Sequence, residues 1–276
     1  MVNIFPPLFS AMLRVGIALL CLAIFFYSTQ KNLYIPYKLR WKVWMLGLFS
    51  QGFPFAFLFW GEQAISPGLT GILNASIPIW ALILSLFFLR KETVFSIQKT
   101  FGLLLGMAGI VVIFWPMLGD GIQQSSIMGS IAILLMAISY AIGALLNQHW
   151  LGKQQAITFQ ANLYHQHTAS LVFLFIASFV FEKWPDMPLL INSCSVWFAA
   201  VYMGLFSTAM AWMIYYHLIR EWGAIQASTV MYVVPVITLF WDLLFFNTYP
   251  QLSEIAGAIT ILIGIILIQL PGRKII

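Results

Sequence analysis

Apolar residues run along this chain in blocks about as long as a membrane helix, separated by short polar stretches. A spanning helix needs about 20 mostly apolar residues. The sequence approaches or meets that length over 5–27, 43–60, 69–89, 100–118, 127–148, 158–181, 195–217, 225–246 and 255–270. The breaks between blocks are chemical. Lys31 to Lys42 is polar and basic, Arg90-Lys91-Glu92 caps a span, Gly119-Asp120-Gly121 signals a turn, and Pro185 and Pro188 bracket an acidic connection. The pattern predicts an all-α, polytopic membrane protein of about nine transmembrane helices.

Two stretches read as one element written twice. Leu69 to Ile113 and Ala224 to Ile268 each lead with small and polar residues into a mid-span proline, Pro78 or Pro235. Each then runs through a bulky apolar segment and a short polar loop into a helix with glycines seven residues apart, Gly102 and Gly109 or Gly257 and Gly264. The glycines are offset by 155 residues and the prolines by 157. Repeated, broken helices at corresponding positions build the central site of secondary transporters. The repeats divide the chain into residues 1–118 and 127–272, with the span at 5–27 aligning on that at 158–181.

Charge sets the orientation and removes other classes. Only 8% of residues are charged, against about 25% in a soluble domain. When the connections alternate sides, Lys31, Lys38, Arg40, Lys42, Arg90, Lys91, Lys99, Lys153, Arg220, Arg273 and Lys274 fall together, and Lys183 alone falls opposite. This asymmetry places the basic side and the C-terminus in the cytoplasm, as in a multi-pass inner-membrane protein, and the N-terminus outside. No basic cluster tracks a phosphate backbone, so nucleic acid is not an expected partner. Cys21 and Cys194 make neither a disulfide framework nor a thiolate metal site, and no metal or cofactor is expected. No nucleophile–base pair, paired carboxylates or phosphate loop supports an enzyme.

The candidate chemistry lies inside the spans. Thr70, Asn74, Pro78, Ala81 and Ser85 share one helical face, and Ser228, Tyr232, Pro235, Thr238 and Asp242 share another. A proline frees a carbonyl one turn earlier, which then needs a partner or a water-lined cavity. The two stripes therefore either face each other across a substrate cavity or form dry helix contacts. Asp242 is the acidic residue placed within a span, a candidate for proton coupling or for an interfacial position. Arg14 is an intramembrane cation that could hold a substrate carboxylate, pair with Asp242, or brace helices. The 158–181 span begins polar, with Thr158, Gln160, Asn162, His165, Gln166 and His167, which suits a cytoplasmic vestibule or a relay at His165. Trp212, near Tyr215 and Tyr216, is a candidate stacking residue.

The ordered set of motifs resembles the EamA-type transporters of the drug/metabolite transporter superfamily. Pro7 to Arg14 is similar to that family's second helix, Ile77-Pro78-Ile79 and Val234-Pro235-Val236 to its fourth and ninth, and Arg90-Lys91-Glu92 with Gly102 and Gly109 to the start of its fifth. The resemblance implies two inverted five-helix repeats with the first helix absent from this sequence, and Asn247 standing where the first repeat has Glu92. A homodimer or a partner supplying a tenth helix would fill that gap. The implied function is export of amino acids or other small metabolites from a lipid bilayer, driven by protons or exchange. A non-transporting assembly subunit or an inactive carrier remnant is the alternative.

Overall fold

The apolar blocks fold as helices throughout. A computed structural model describes residues 5–88, 97–124, 127–151, 157–185, 194–246, 249 and 251–269, and among these nine helices are long and apolar enough to cross a membrane. They are α1 (Pro7–Ser28), α2 (Tyr37–Gly61), α3 (Pro67–Asn74 and Ile77–Phe88), α4 (Ile97–Gln124), α5 (Ile127–Leu151), α6 (Phe159–Phe181), α7 (Cys194–Trp222), α8 (Ala224–Ser228 and Val230–Phe246) and α9 (Leu252–Gln269). Arg90-Lys91-Glu92, Asn247, Lys153 and Pro188 lie outside the described residues.

Two boundaries differ from the hydropathy reading. α2 starts at Tyr37 behind Pro36, so Lys38, Arg40 and Lys42 are helical and not part of a loop. Long basic side chains can extend from a helix end to the interface while their stems stay on apolar surface, and Lys42 Nζ lies 5.8 Å from the ring centres of both Trp41 and Trp150. α4 continues to Gln124, so the backbone at Gly119-Asp120-Gly121 is helical and not a turn.

The two halves pack upside down on each other. A Cβ on Gly102 would sit 2.7 Å from the carbonyl oxygen of Gly264, and one on Gly109 would sit 2.6 Å from that of Gly257. The contacts pair the first glycine of one helix with the second of the other, so α4 and α9 run antiparallel. Exchanging the repeats reproduces the same pairs. Small residues let backbones approach where lipid supplies no hydrophobic drive for association.

α1 and α6 form a second antiparallel pair. Glu182, just past the end of α6, accepts hydrogen bonds from Leu8 N at 2.7 Å and Phe9 N at 2.8 Å. A carboxylate on these otherwise unsatisfied N–H groups also favours the positive end of α1. At the opposite end Thr158 caps α6, and its hydroxyl donates to Asn32 O, beyond the end of α1, at 2.7 Å. The buried positions of the two helices align at an offset of 152 residues, with Ser10, Val15, Ala18 and Leu22 matching Asn162, His167, Ser170 and Leu174. Arg14 therefore stands in the first repeat where Gln166 stands in the second.

Both α2 and α7 contain a π-helical turn, at Leu48–Gly52 and Leu205–Met210. Such turns insert a residue and often mark functional positions. The first follows Gly47 and the second follows Gly204, and Gly-Leu-Phe-Ser stands at both places, 157 residues apart. Gly47 lets α2 cross α6 against the Gln166 carbonyl, and Gly204 lets α7 cross α1 against that of Arg14. This repeats the equivalence of Arg14 and Gln166 in a second set of contacts.

α3 and α8 are broken where hydroxyls bond back into the preceding turn. Ser76 Oγ donates to Leu73 O at 2.6 Å, and Thr229 Oγ1 donates to Gln226 O at 2.7 Å. The prolines do not occupy matching places relative to these breaks. Pro78 lies at the start of the second piece of α3, where a missing N–H costs little, whereas Pro235 is inside the long piece of α8.

Candidate functional site

α5, α6 and α7 diverge at the end that carries Arg220 and leave a cavity of about 960 Å3, with Asn147, Gln160, Asn162, Tyr216, His217 and Arg220 among its lining residues. The polar start of α6 faces it. Gly223, at φ 83°, makes the tight turn from α7 into α8. Gln148, also at the cavity, accepts a hydrogen bond from Ala224 N at 2.7 Å and so ties that turn to α5.

The inner wall is a chain of neutral amides. Asn162 Nδ2 donates to Asn147 Oδ1 at 3.1 Å, Gln166 Nε2 donates to Asn162 Oδ1 at 2.7 Å, and the Tyr216 hydroxyl donates to Gln166 Oε1. Three helices are joined by these bonds, and Gln166 is fully buried. Buried polar networks are stable when their members are satisfied and costly when one partner is lost. The network presents hydrogen-bonding groups without fixed charge, which suits an uncharged or zwitterionic polar ligand.

Behind Tyr216 stands a row of tilted and edge-on rings. The Trp212 ring centre is 5.1 Å from that of Tyr216 and 5.9 Å from that of Tyr140, and Phe55 lies 6.4 Å beyond Tyr140. The Arg14 guanidinium sits 4.6 Å over Phe55. Arg14 Nε donates to Thr208 Oγ1 at 2.7 Å, and its Nη2 donates to Ser207 O at 3.1 Å. Both acceptors belong to the π turn of α7. The π turn of α2 is held similarly, with Ser139 of α5 donating to Phe49 O at 2.9 Å. The carboxylate sharing Arg14's field is Glu62, just beyond α2. Desolvation by the surrounding protein raises its carboxyl above the ordinary 4.5, while Arg14 pulls it down.

Among the described side chains, those of the two small-residue stripes do not line this cavity. Tyr232 is fully buried with its ring against Gly106, and its hydroxyl donates to Leu103 O at 3.0 Å, so it anchors α8 to α4. Ser228 Oγ donates to Ile225 O at 2.7 Å within its own helix. Asn74 ends the first piece of α3, Pro78 is buried at the start of the second, and Pro235 is buried in α8. Trp212 is 7% exposed and joins Tyr216 in the cavity wall to Tyr140 behind it. Asp242's side chain lies outside the described residues. His165 bonds Leu33 O at 3.0 Å, which engages it with the loop after α1 and not with a relay through the core. His167 is instead the histidine that is fully buried, 3.2 Å from Gln51 Nε2.

Asn147, Ser50 and Gln51 escaped the sequence reading. The repeated Gly-Leu-Phe-Ser marks Ser50, with Gln51 next to it, because it shares the proline offset of 157 residues. The anchoring role of Tyr232 has a direct check. Tyr232→Phe should cost about 1 kcal/mol of stability, read as a lower midpoint of thermal unfolding, and leave transport unchanged. Lost transport in a stable variant would return Tyr232 to the substrate path.

The sequence model of the EamA-like transporter family matches residues 1–115 and 127–270. An uncharacterized transporter of Bacillus subtilis, YoaV, is 28% identical over 261 residues, covering 94% of this chain and 86% of its own length. An uncharacterized transporter of Archaeoglobus fulgidus is 26% identical over 267 residues, covering 97% of this chain and 90% of its own. A protein crystal structure superposes with a TM-score of 0.76 at 16% identity, over 98% of this chain and 90% of the other, which establishes a shared fold.

Proposed function

The chain belongs to the EamA-like transporter family and is a multi-pass membrane transporter, and from that membership we propose that it exports amino acids or similar small metabolites in exchange for protons. The observation that carries this reading is the cavity at the α5–α6–α7 end, walled by Asn147, Asn162 and Tyr216. Its volume of about 960 Å3 is near the upper end of ligand pockets, about 300–1,000 Å3. The amide wall offers donors and acceptors to a polar ligand, and Met213 and Ile219 offer apolar surface beside it.

Arg220 and His217 at the rim mark the basic side, which the positive-inside rule assigns to the cytoplasm. The cavity then loads from the cytoplasm in an inner membrane, with the C-terminus on the same side. The inverted packing of α4 on α9 and of α1 on α6 supports alternating access, because exchanging the conformations of the two halves would close this end and open the other.

A thermal-shift screen of the detergent-purified chain against amino acids, nucleosides, sugars and cationic drugs tests the substrate class. A ligand that binds the folded state raises the unfolding midpoint with its occupancy. An amino acid is expected to raise it in a saturable way. A shift confined to cationic drugs or sugars would contradict the proposed class.

A further inference from the structure

We propose that His167 is the proton-binding residue of this carrier, at an internal hydrated site built with Ser50, Gln51 and Ser170 beside the π turn of α2. The inference rests on the carrier reading above and adds the group that takes the proton. Gln51 Oε1, His167 Nε2 and Ser170 Oγ are each buried without a hydrogen-bond partner from the protein, Ser50 Oγ has only the Tyr216 hydroxyl beside it, and the four residues are at most 2% exposed. Buried polar groups are costly to leave unpaired, so these atoms, on the π turn and on the part of α6 that Gln51 touches through His167, point to a small polar guest.

The place is built from three helices. Ser50 and Gln51 belong to the π turn, and Ser170 follows His167 by three residues on α6, on nearly the same face. Gly143 of α5 covers the turn so closely that a Cβ there would meet Ser50 Oγ at 2.5 Å. A buried water needs about two to four polar partners, and hydroxyls, an amide oxygen and a ring nitrogen can supply them.

The ring is arranged to accept a proton. Its Nδ1 lies 3.0 Å from Leu163 O and 3.2 Å from Gln51 Nε2. With Nδ1–H donating to Leu163 O, and the Gln51 amide turned so that its oxygen and not its NH2 faces Nδ1, Nε2 keeps a free lone pair. A hydronium reaching Nε2 leaves as water, and the imidazolium then donates from Nδ1 to Leu163 O and from Nε2 to that water. Release runs the same transfer backwards. Gln166 and Tyr216 separate this site from the cavity, so water passing Tyr216 links the two.

The groups on the neighbouring elements set the coupling rule. α2 presents the neutral Ser50 and Gln51, α5 presents Tyr140 beyond Gly143, α7 presents Tyr215 and Tyr216, and α1 carries Arg14, whose guanidinium is held on Thr208. None of these neighbours supplies a carboxylate to neutralise an imidazolium at His167, which would repel an ammonium group held in the cavity, and alternate occupancy is what exchange of substrate for proton requires.

The test uses the full chain in lipid nanodiscs with nitrogen-15 in its histidine rings and pH as the probe. The sequence has four histidines, and a variant carrying His149→Gln, His165→Gln and His217→Gln leaves His167 alone to be read even if His167→Gln does not fold. The ring is expected to pass from a neutral tautomer to the doubly protonated form between about pH 8 and pH 4. A ring that stays in one neutral tautomer throughout would overturn the proposal. In proteoliposomes, His167→Gln should lose transport of the screened ligand driven by a pH gradient, whereas transport that follows the gradient as in the wild type would also overturn it. Failure of the wild type to bind any ligand would strike the carrier reading and leave the ring titration to be judged by itself.

Discussion

Gly264→Val should leave little correctly folded protein in the membrane. A Cβ at this position would lie 2.7 Å from the carbonyl oxygen of Gly102 and 2.8 Å from the amide nitrogen of Gly106, both backbone atoms of α4. Neither can swing aside as a side chain would. α9 faces lipid over much of its surface, so close backbone contact with α4 is the interaction that seats it. Overpacking typically costs about 1–3 kcal/mol and occasionally more, and a branched side chain against backbone belongs at the upper end. Gly16→Ala is the matched control, because a Cβ there meets only Leu171 Cδ1, at 3.5 Å. Size-exclusion profiles and thermal midpoints of the two variants should separate widely. Equal profiles would mean that the seam does not hold the halves together.

Asn162→Leu should abolish transport while leaving a folded, inserted protein. Asn162 lines the cavity, donates to Asn147 and accepts from Gln166. Leucine matches it roughly in size but neither donates nor accepts, so the wall loses its middle link and the ligand loses a partner. A site built to hydrogen-bond its ligand discriminates strongly when one group is left unpaired, by about 10⁴-fold in favourable cases. The loss of stability should be smaller, about 1–3 kcal/mol, from the orphaned amides. Ligand binding by thermal shift and uptake into proteoliposomes should therefore both vanish from a protein whose size-exclusion profile is normal. Retained transport would remove the amide chain from the site.

These two sites differ in how far the sequence exposes them. The glycine pairs repeat at a fixed spacing in a nearly unbroken apolar context, and spacing is what survives in a linear reading. The helices themselves were legible for the same reason, although hydropathy shortened α2 by excluding Lys38, Arg40 and Lys42, whose charged ends do not prevent a helical backbone. The amide wall was not legible as a unit. Asn147, Asn162 and Tyr216 come from three helices, and only packing brings them together. The π turns are a change of backbone register that no particular residue type signals, so a short repeat such as Gly-Leu-Phe-Ser is the trace they leave.

The prolines misdirected the reading of the stripes. Pro78 and Pro235 look equivalent by offset, yet the chain breaks at Ser76 and at Thr229, two and six residues before them. That difference of four residues is about one helical turn. Likewise, Tyr232 looks like a ligand-facing residue on a polar stripe, whereas Gly106 on α4 leaves the slot that its ring fills. A hydroxyl on a membrane helix can serve its own backbone, a neighbouring helix or a ligand, and sequence spacing does not distinguish these.

The measurement that tests the account most directly is counterflow in proteoliposomes. Purified chain is reconstituted into vesicles loaded with unlabelled ligand from the thermal-shift screen, and the same ligand in labelled form is added outside at trace concentration. A carrier with the Asn147–Asn162–Gln166–Tyr216 wall as its site should accumulate label transiently above equilibrium, and Asn162→Leu should not. Accumulation that is equal in the wild type and Asn162→Leu, or that is absent from wild-type vesicles which bind the ligand, would contradict it.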